Sequence, residues 1–265
     1  MGYSYEMFTQ IGDLGLQRGA RILDIGSQDV SIGGAVELGA INRFIAKYDG
    51  KFLQVATPAT VPAREVFGRA GFEYTCTDVD EREGTVYVDL ASMDFPKRLR
   101  DRFDLVANCG TTEHLANPIG GFLFAHYCTK LGGVTFHDVP LFGMANHGLM
   151  NPTPKFWHAL IGLNEYEVLD FQVRRVANAS LDRGNLFNPG WSYMKGDLDA
   201  ESAIVRAVFR RKIDRIFIPP FDAVLPAGDK RAQLNFLQSS MQPFVASGVY
   251  AKAEVDGHLR AFVGF

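Results

Sequence analysis

Acidic and small residues recur at the ends of short apolar runs through the first half of the chain. Asp24, Gly26, Ser27, Gln28 and Asp29 end or follow the run Arg21 to Ile25. Asp78, Val79 and Asp80 follow Phe72 to Thr77, Asp89 and Leu90 follow Val86 to Val88, and Asn108, Cys109 and Gly110 close the run that starts at Asp104. If these runs are neighbouring parallel strands, their carboxyl ends share one edge of the sheet, which is where open α/β sheets hold ligands. A carboxylate there can accept hydrogen bonds from both hydroxyls of a ribose, and a charged acceptor makes the stronger bond. Asp78 is the candidate for that role. Gly26 lacks a Cβ, so its backbone can lie close to a ligand. Such tips suit a ligand with a ribose and a positive centre. A pyrophosphate would instead want several glycines opening a helix N-terminus.

A second set of residues follows the fourth and fifth runs. His114 lies where a second reactant should approach, and an imidazole can remove a proton there at neutral pH. Equally, it can be a histidine at a helix start packed against the loop. Glu113 can fix the ligand or the adjacent imidazole, or it can simply favour a first helical turn electrostatically. His137, Asn146, His147, Asn151 and Trp157 are candidates for the second reactant's pocket, with turn capping and loop packing as the alternative. His114, His137 and His147 raise the question of a metal. They have no short ligand motif such as HExxH, so no metal is expected.

Strand-like and helix-like segments alternate around these residues. Arg21 to Ile25, Phe72 to Thr77, Val86 to Val88, Asp104 to Asn108 and Gly133 to His137 read as strands. Ala35 to Lys47, Val61 to Ala70, Phe95 to Arg102 and Gly120 to Leu131 read as helices between them. Alternation of this kind predicts an α/β fold with a doubly wound, Rossmann-like, seven-stranded sheet, mostly parallel and covered on both faces. A helix over Pro154 to Leu163 follows. The late strands Glu167 to Val173 and Ala203 to Phe209 are expected to pair as an antiparallel hairpin at one sheet edge, with a terminal helix over Leu225 to Gln242. The whole chain, 1–265, reads as one domain. Residues 31–59 are an insertion that could be a lid, a dimer contact leading to a homodimer, or an extra surface helix. Residues 139–200, which include a glycine-rich loop from Asp182 to Gly196, supply loops on the second reactant's side.

Bulk properties narrow the classes. With 47% hydrophobic and 22% charged residues the chain is an ordinary globular sequence, and its net charge of −3 gives no footprint for nucleic acid. The basic stretch Arg206 to Arg215 reads as a solvated connection. Cys76, Cys109 and Cys128 form an odd set without CxxC spacing, which fits a reducing, cytoplasmic setting. No window approaches the roughly 20 apolar residues needed to span a bilayer, so no membrane partner is expected.

The motifs, taken in order, resemble those of the class I S-adenosylmethionine-dependent methyltransferases. LDIGSQD (Leu23 to Asp29), YTCTDVD (Tyr74 to Asp80), VYVDLAS (Val86 to Ser92), FDLVANCGTTEHL (Phe103 to Leu115) and LGGVTFHDVP (Leu131 to Pro140) carry the resemblance. It covers roughly Arg21 to Pro140. The later segment NHGLMNPTPKFW (Asn146 to Trp157) is similar to a bacterial subgroup associated with glycan and secondary-metabolite enzymes. The resemblance implies S-adenosyl-L-methionine as cofactor and a small-molecule or sugar-like acceptor. It implies that Asp24 orients the loop and the methionine amino group, and that Gly26 and Ser27 pass beneath the cofactor. Asp78 and its neighbour Val79 would hold the ribose side, Asp89 with Leu90 would meet the adenine, and Asn108 to Gly110 would lie beside the sulfonium. Two departures stand out: Gln28 replaces the family's second glycine, and about 50 residues separate Gly26 from Asp78, where about 20 is usual for a glycine turn and its acid in dinucleotide folds. The rival readings are an NAD(P)-dependent oxidoreductase, disfavoured because GSQDVSIGG is not GxGxxG, and a catalytically silent binding subunit on the same fold.

Overall fold

The computed structural model describes residues 2–80, 82, 84–142, 147–175, 203–220 and 229–264. Its elements are, in chain order, α1 (Tyr5–Asp13), β1 (Arg21–Ile25), β2 (Asp29–Ile32), α2 (Ala35–Ala46), β3 (Ala59–Pro62), α3 (Ala63–Arg69), β4 (Glu73–Asp78), β5 (Thr85–Tyr87), β6 (Phe103–Cys109), α4 (Pro118–Cys128), β7 (Thr129–Phe142), α5 (Pro154–Asn164), β8 (Glu167–Arg175), β9 (Ala203–Arg210), α6 (Lys230–Ala246) and α7 (Lys252–Val263). Asn146, the glycine-rich loop 182–196 and the expected start of the last predicted helix, 225–228, lie outside the described residues.

Seven strands form one sheet in the order β5-β4-β1-β6-β7-β9-β8. The five from β5 to β7 are parallel, and β9 runs antiparallel to both β7 and β8. The expected α/β sheet with its antiparallel edge pair is therefore what the chain builds. From β1 the chain winds outward through β4 to β5, then crosses to β6 and winds the other way. The crevice between the carboxyl ends of β1 and β6 is the topological switch point, where ligands bind in open sheets.

Alternation along each strand divides the core in two. Leu23, Ile25 and Val106 pack with Phe122, Trp157, Leu237 and Leu259 under α4 to α7. Ile22, Leu105 and Phe136 pack with Phe8, Ile41, Phe44 and Phe67 under α1 to α3. Helix α4 is buried along nearly its whole length, which is why its sequence is apolar on every side. Two other helices start on side-chain caps: Thr153 accepts from the Phe156 N–H ahead of α5, and Asp229 accepts from the Ala232 N–H ahead of α6.

Several local expectations change. The helix expected over Phe95 to Arg102 is a single 3-10 turn, Lys97–Leu99, because Pro96 precedes it and Arg100 leaves it in extended backbone. The helix expected from Val61 begins at Ala63, since Val61 and Pro62 pair with β2. The helix expected to run to Leu131 ends at Cys128, and β7 starts there and runs to Phe142. The basic stretch is a solvated connection only in part. Lys212 and Asp214 are exposed, but Arg206, on the internal strand β9, and Arg211, just after it, are only 3% and 5% exposed, and each guanidinium meets an acid. Arg206 and Arg174 both pair with the buried Asp138 of β7, at 2.5 and 3.1 Å.

The insertion after β1 leaves and re-enters at one point. β2 and β3 form their own two-stranded ladder, with Asp29 opposite Pro62 at its base. There the Ala63 N–H, the first of α3, donates to the Gln28 carbonyl at 3.0 Å. The β1 loop thus abuts α3 although the segment 29–62 intervenes. Helix α2 within that segment packs on α1 and α3 through Ile41, Phe44 and Ile45, so it belongs to the helical layer on that face.

Candidate active site

Gly26 ends β1 with φ +99, a backbone conformation that side-chain-bearing residues rarely adopt. Its N–H donates to the Thr77 carbonyl at 2.7 Å, and the next N–H, of Ser27, donates to Asp78 Oδ2 at 2.8 Å. Asp78 Oδ1 accepts from the Val79 N–H at 2.7 Å. The tip of β4 thereby holds the β1 loop, and each oxygen of Asp78 takes only one backbone donor, leaving acceptor capacity on both. Ser27 Oγ donates to Asp80 Oδ1 at 2.9 Å and lies 3.0 Å from Thr85 Oγ1. Arg82 closes the same corner by donating to the Ser27 carbonyl and to Asp29.

On the other side of Gly26 stands the turn after β6. Thr111 Oγ1 donates to the Ile25 carbonyl at 2.6 Å and accepts from Gln28 Nε2 at 3.0 Å. A Cβ on Gly26 would collide with both side chains, so the absent side chain is what lets the two tips meet. Gly110, with φ +83, turns the chain out of β6. Asn108 is fully buried and braces that turn: its amide donates to Thr112 Oγ1 at 2.9 Å and lies 3.2 Å from His137 Nδ1. At β5, Asp89 Oδ1 accepts from the Ala91 N–H at 2.9 Å, and Leu90 is buried beneath it. The structure thus brings together the tips carrying Gly26, Ser27, Gln28, Asp29, Asp78, Val79 and Gly110.

Four residues of the sequence set point elsewhere. The Asp24 side chain faces the α1 to α3 layer, where it is fully buried and accepts from the Tyr74 hydroxyl at 2.7 Å. Burial pushes its pKa well up. Cys109 is buried on the same face, where burial raises its thiol pKa. His137 lies in the opposite core against Phe122, Trp157 and Phe209, and burial lowers its pKa to about 3. Trp157 is fully buried beside it, so neither ring reaches the surface of the site.

Glu113 and His114 form a 3-10 turn after β6. The Glu113 side chain is completely buried, and neither of its oxygens has a hydrogen-bond partner among the described residues. That desolvation raises its pKa to about 7. The segment carrying His147 is clamped onto it: the Leu149 and Met150 N–H groups donate to the Glu113 carbonyl at 2.7 and 3.2 Å. His147 Nε2 then lies 3.5 Å, and His114 Nε2 3.8 Å, from Glu113 Oε1, with the two rings 4.9 Å apart. Beside them is a mainly apolar cavity of about 370 Å³, whose walls include Thr112, Glu113, Ile119, Phe122, Met150 and Asn151. Of the pocket candidates, Asn151 lines this cavity, and His147 lies behind it against the wall residue Glu113.

Sequence reading did not single out Thr111, Arg82 or Tyr74. A threonine after a positive-φ glycine was a signal for the first. The other two act through contacts across 50 or more residues, which no local pattern exposes.

No family model matches this sequence. No curated protein matches it either. Among solved structures, the [4+2]-cyclase SpnF is 12% identical, with a TM-score of 0.46 over 79% of this chain and 81% of that one. The 1,6-didemethyltoxoflavin-N1-methyltransferase of Burkholderia thailandensis, with bound 1,6-didemethyltoxoflavin and S-adenosylhomocysteine, is 14% identical, with a TM-score of 0.43 over 79% and 78%. A geranyl diphosphate methyltransferase in complex with SAM is 11% identical, with a TM-score of 0.45 over 78% and 85%. Overlap at this level identifies neither an activity nor a ligand.

Proposed function

We propose that this chain is an S-adenosyl-L-methionine-dependent methyltransferase acting on a small-molecule or sugar-like acceptor. The observation that carries the reading is the joint at the switch point, where the positive-φ turn of Gly26 and Ser27 is fastened by the carboxylate of Asp78. A ribose set against that joint would find acceptors on Asp78, and the glycine turn beside it carries no side chain of its own. Asp89 with Leu90 stands at the next tip for the adenine, and the exposed Val79 offers an apolar edge between them. Gly110 and Thr111 occupy the sulfonium side. The buried Asn108 acts by bracing their turn, and Asp24 by anchoring β1 from beneath. Gln28 Nε2 lies over Gly26, so its amide would contact the methionine part or swing aside for it.

The cofactor supplies an electrophilic methyl group. The protein's task is to hold the acceptor in line with it, and orientation of that kind is worth up to about 7–11 kcal/mol in well-ordered cases. The cavity beside Glu113 would hold the acceptor, its apolar walls excluding water and Asn151 fixing a polar group. His114, half-exposed beside Glu113, would take a proton where the acceptor must lose one. A dinucleotide fits less well, because the first N–H of α3, which a pyrophosphate would need, is already bonded to Gln28. Among the described residues no helix is long and apolar enough to cross a membrane. The three cysteines are free and buried, which suits a reducing, cytoplasmic setting.

Thermal unfolding with added nucleotides tests the reading. S-adenosylhomocysteine at about 100 times its Kd should stabilise the protein by about 2.7 kcal/mol, and NAD(P) should do nothing. Stabilisation by NAD(P) alone would reverse the assignment.

A further inference from the structure

We infer that Glu113, His114 and His147 form a binding site for one divalent transition-metal ion beside the apolar cavity. One potential ligand atom from each residue lies within 4.8 Å of the other two. A tetrahedral ion with ligands at about 2.0–2.1 Å holds them about 3.3 Å from one another. The distances of 3.5 and 3.8 Å from Glu113 Oε1 to the two imidazoles are already near that value, and small rotations of the half-exposed His114 complete the approach.

The independent observation is the carboxylate itself. Glu113 is sealed from solvent, and both oxygens, like His147 Nε2, have no hydrogen-bond partner among the described residues. A buried carboxylate without partners is costly, and a cation beside it offsets that cost as a proton otherwise would. Two imidazoles and one carboxylate form a donor set suited to zinc, cobalt or ferrous iron, and a poor one for magnesium or calcium, which prefer oxygen.

The backbone holds this arrangement in place. The paired hydrogen bonds from Leu149 and Met150 to the Glu113 carbonyl lock His147 beside the acid. Gly148 makes the clamp feasible, since a Cβ there would stand 2.8 Å from both Glu113 Cγ and its carbonyl oxygen. Three protein ligands leave coordination positions free, and Glu113 also lines the neighbouring cavity. An oxygen or nitrogen of a small molecule in the cavity would fill them and be polarised by the ion, which would then ease its deprotonation in place of His114, since an imidazole bound to a metal cannot act as a base. That this molecule is a methyl acceptor rests on the function proposed above, whereas the metal site itself does not.

The test is calorimetric titration of zinc into chelator-treated, tag-free protein, followed by cobalt titration with visible absorption as a second readout. The expected result is one equivalent bound with micromolar or tighter affinity and tetrahedral cobalt bands in the visible. His147→Ala and Glu113→Gln should each weaken zinc at least tenfold. His114→Ala alters a half-exposed side chain, so it keeps the test available should Glu113→Gln fail to fold, and it too should bind at least tenfold more weakly. Absence of stoichiometric zinc binding by the wild type, or unchanged affinity in the histidine variants, overturns the site. S-adenosylhomocysteine binding is measured on the same samples. Zinc binding without it upholds the metal site while sinking the methyltransferase reading, and the reverse pattern sinks the metal site alone.

Discussion

Replacing Asp78 by asparagine separates the two tasks of that side chain. Its oxygens accept from the Ser27 and Val79 N–H groups at 2.8 and 2.7 Å. Asparagine keeps one acceptor and must point its NH₂ at the other backbone donor. Leaving one of these N–H groups unsatisfied costs about 1–3 kcal/mol of stability, which lowers the melting temperature by several degrees in a domain of this size. The cofactor reading adds a second loss. Hydrogen bonds to a charged acceptor contribute about 1.5–3 kcal/mol each, so losing one ribose contact weakens S-adenosylhomocysteine by roughly 10-fold to 150-fold at 1.4 kcal/mol per decade. Isothermal titration on wild type, Asp78→Asn and Asp80→Asn measures this. Asp80 serves as the control because an asparagine oxygen there can still accept from Ser27 Oγ, and its ion pair with the exposed Arg82 is worth less than about 1 kcal/mol. If folded Asp78→Asn binds within threefold of wild type, the ribose does not meet Asp78 and the cradle is misassigned. If Asp80→Asn loses as much as Asp78→Asn, the effect comes from the loop rather than from a ribose contact.

Two further predictions concern the fold that carries the site. Asp138→Asn should destabilise the protein by about 3–5 kcal/mol, because it strips the acid from two guanidinium groups, one of them fully inside the sheet; denaturant unfolding that shows less than 1 kcal/mol would refute the pairing. Burial lowers the pKa of both His126 and His137 to about 3, against about 6.5 in the unfolded chain. Below pH 6.5 the unfolded state therefore binds protons that the folded state refuses. Stability is complete above pH 6.5 and falls towards pH 3, by up to about 1.4 kcal/mol per pH unit for each histidine. His126→Gln should flatten that slope when urea midpoints are compared at pH 7.5 and 5, and an unchanged slope would contradict the assignment.

Most of the sheet was legible in the sequence because buried parallel strands are short apolar runs, and those of β1, β4 and β6 end at glycine or acid. The positions of Gly26 and Asp78 at strand tips followed from the same pattern. Helices α1 and α7 were harder to read. The first carries its apolar residues Met7, Phe8 and Ile11 near a chain end, and the second spaces Val255, Leu259 and Val263 four apart among charged neighbours. The β2–β3 ladder was hidden because its strands are 4 residues each, and pairing them requires knowing that the chain returns to its starting point.

By itself the sequence determined the order and type of the main strands, since period and punctuation are local properties. It also marked which residues lie at their ends. Direction and company were decided only by the tertiary structure. Whether Asp24 turns to the ligand edge or into the helical layer depends on which face of β1 Tyr74 covers. Whether Glu113 sits beside one imidazole or two depends on a clamp formed 36 residues along the chain. A buried charge takes its meaning from the groups folding brings around it, and those contacts are made by segments far apart in the chain.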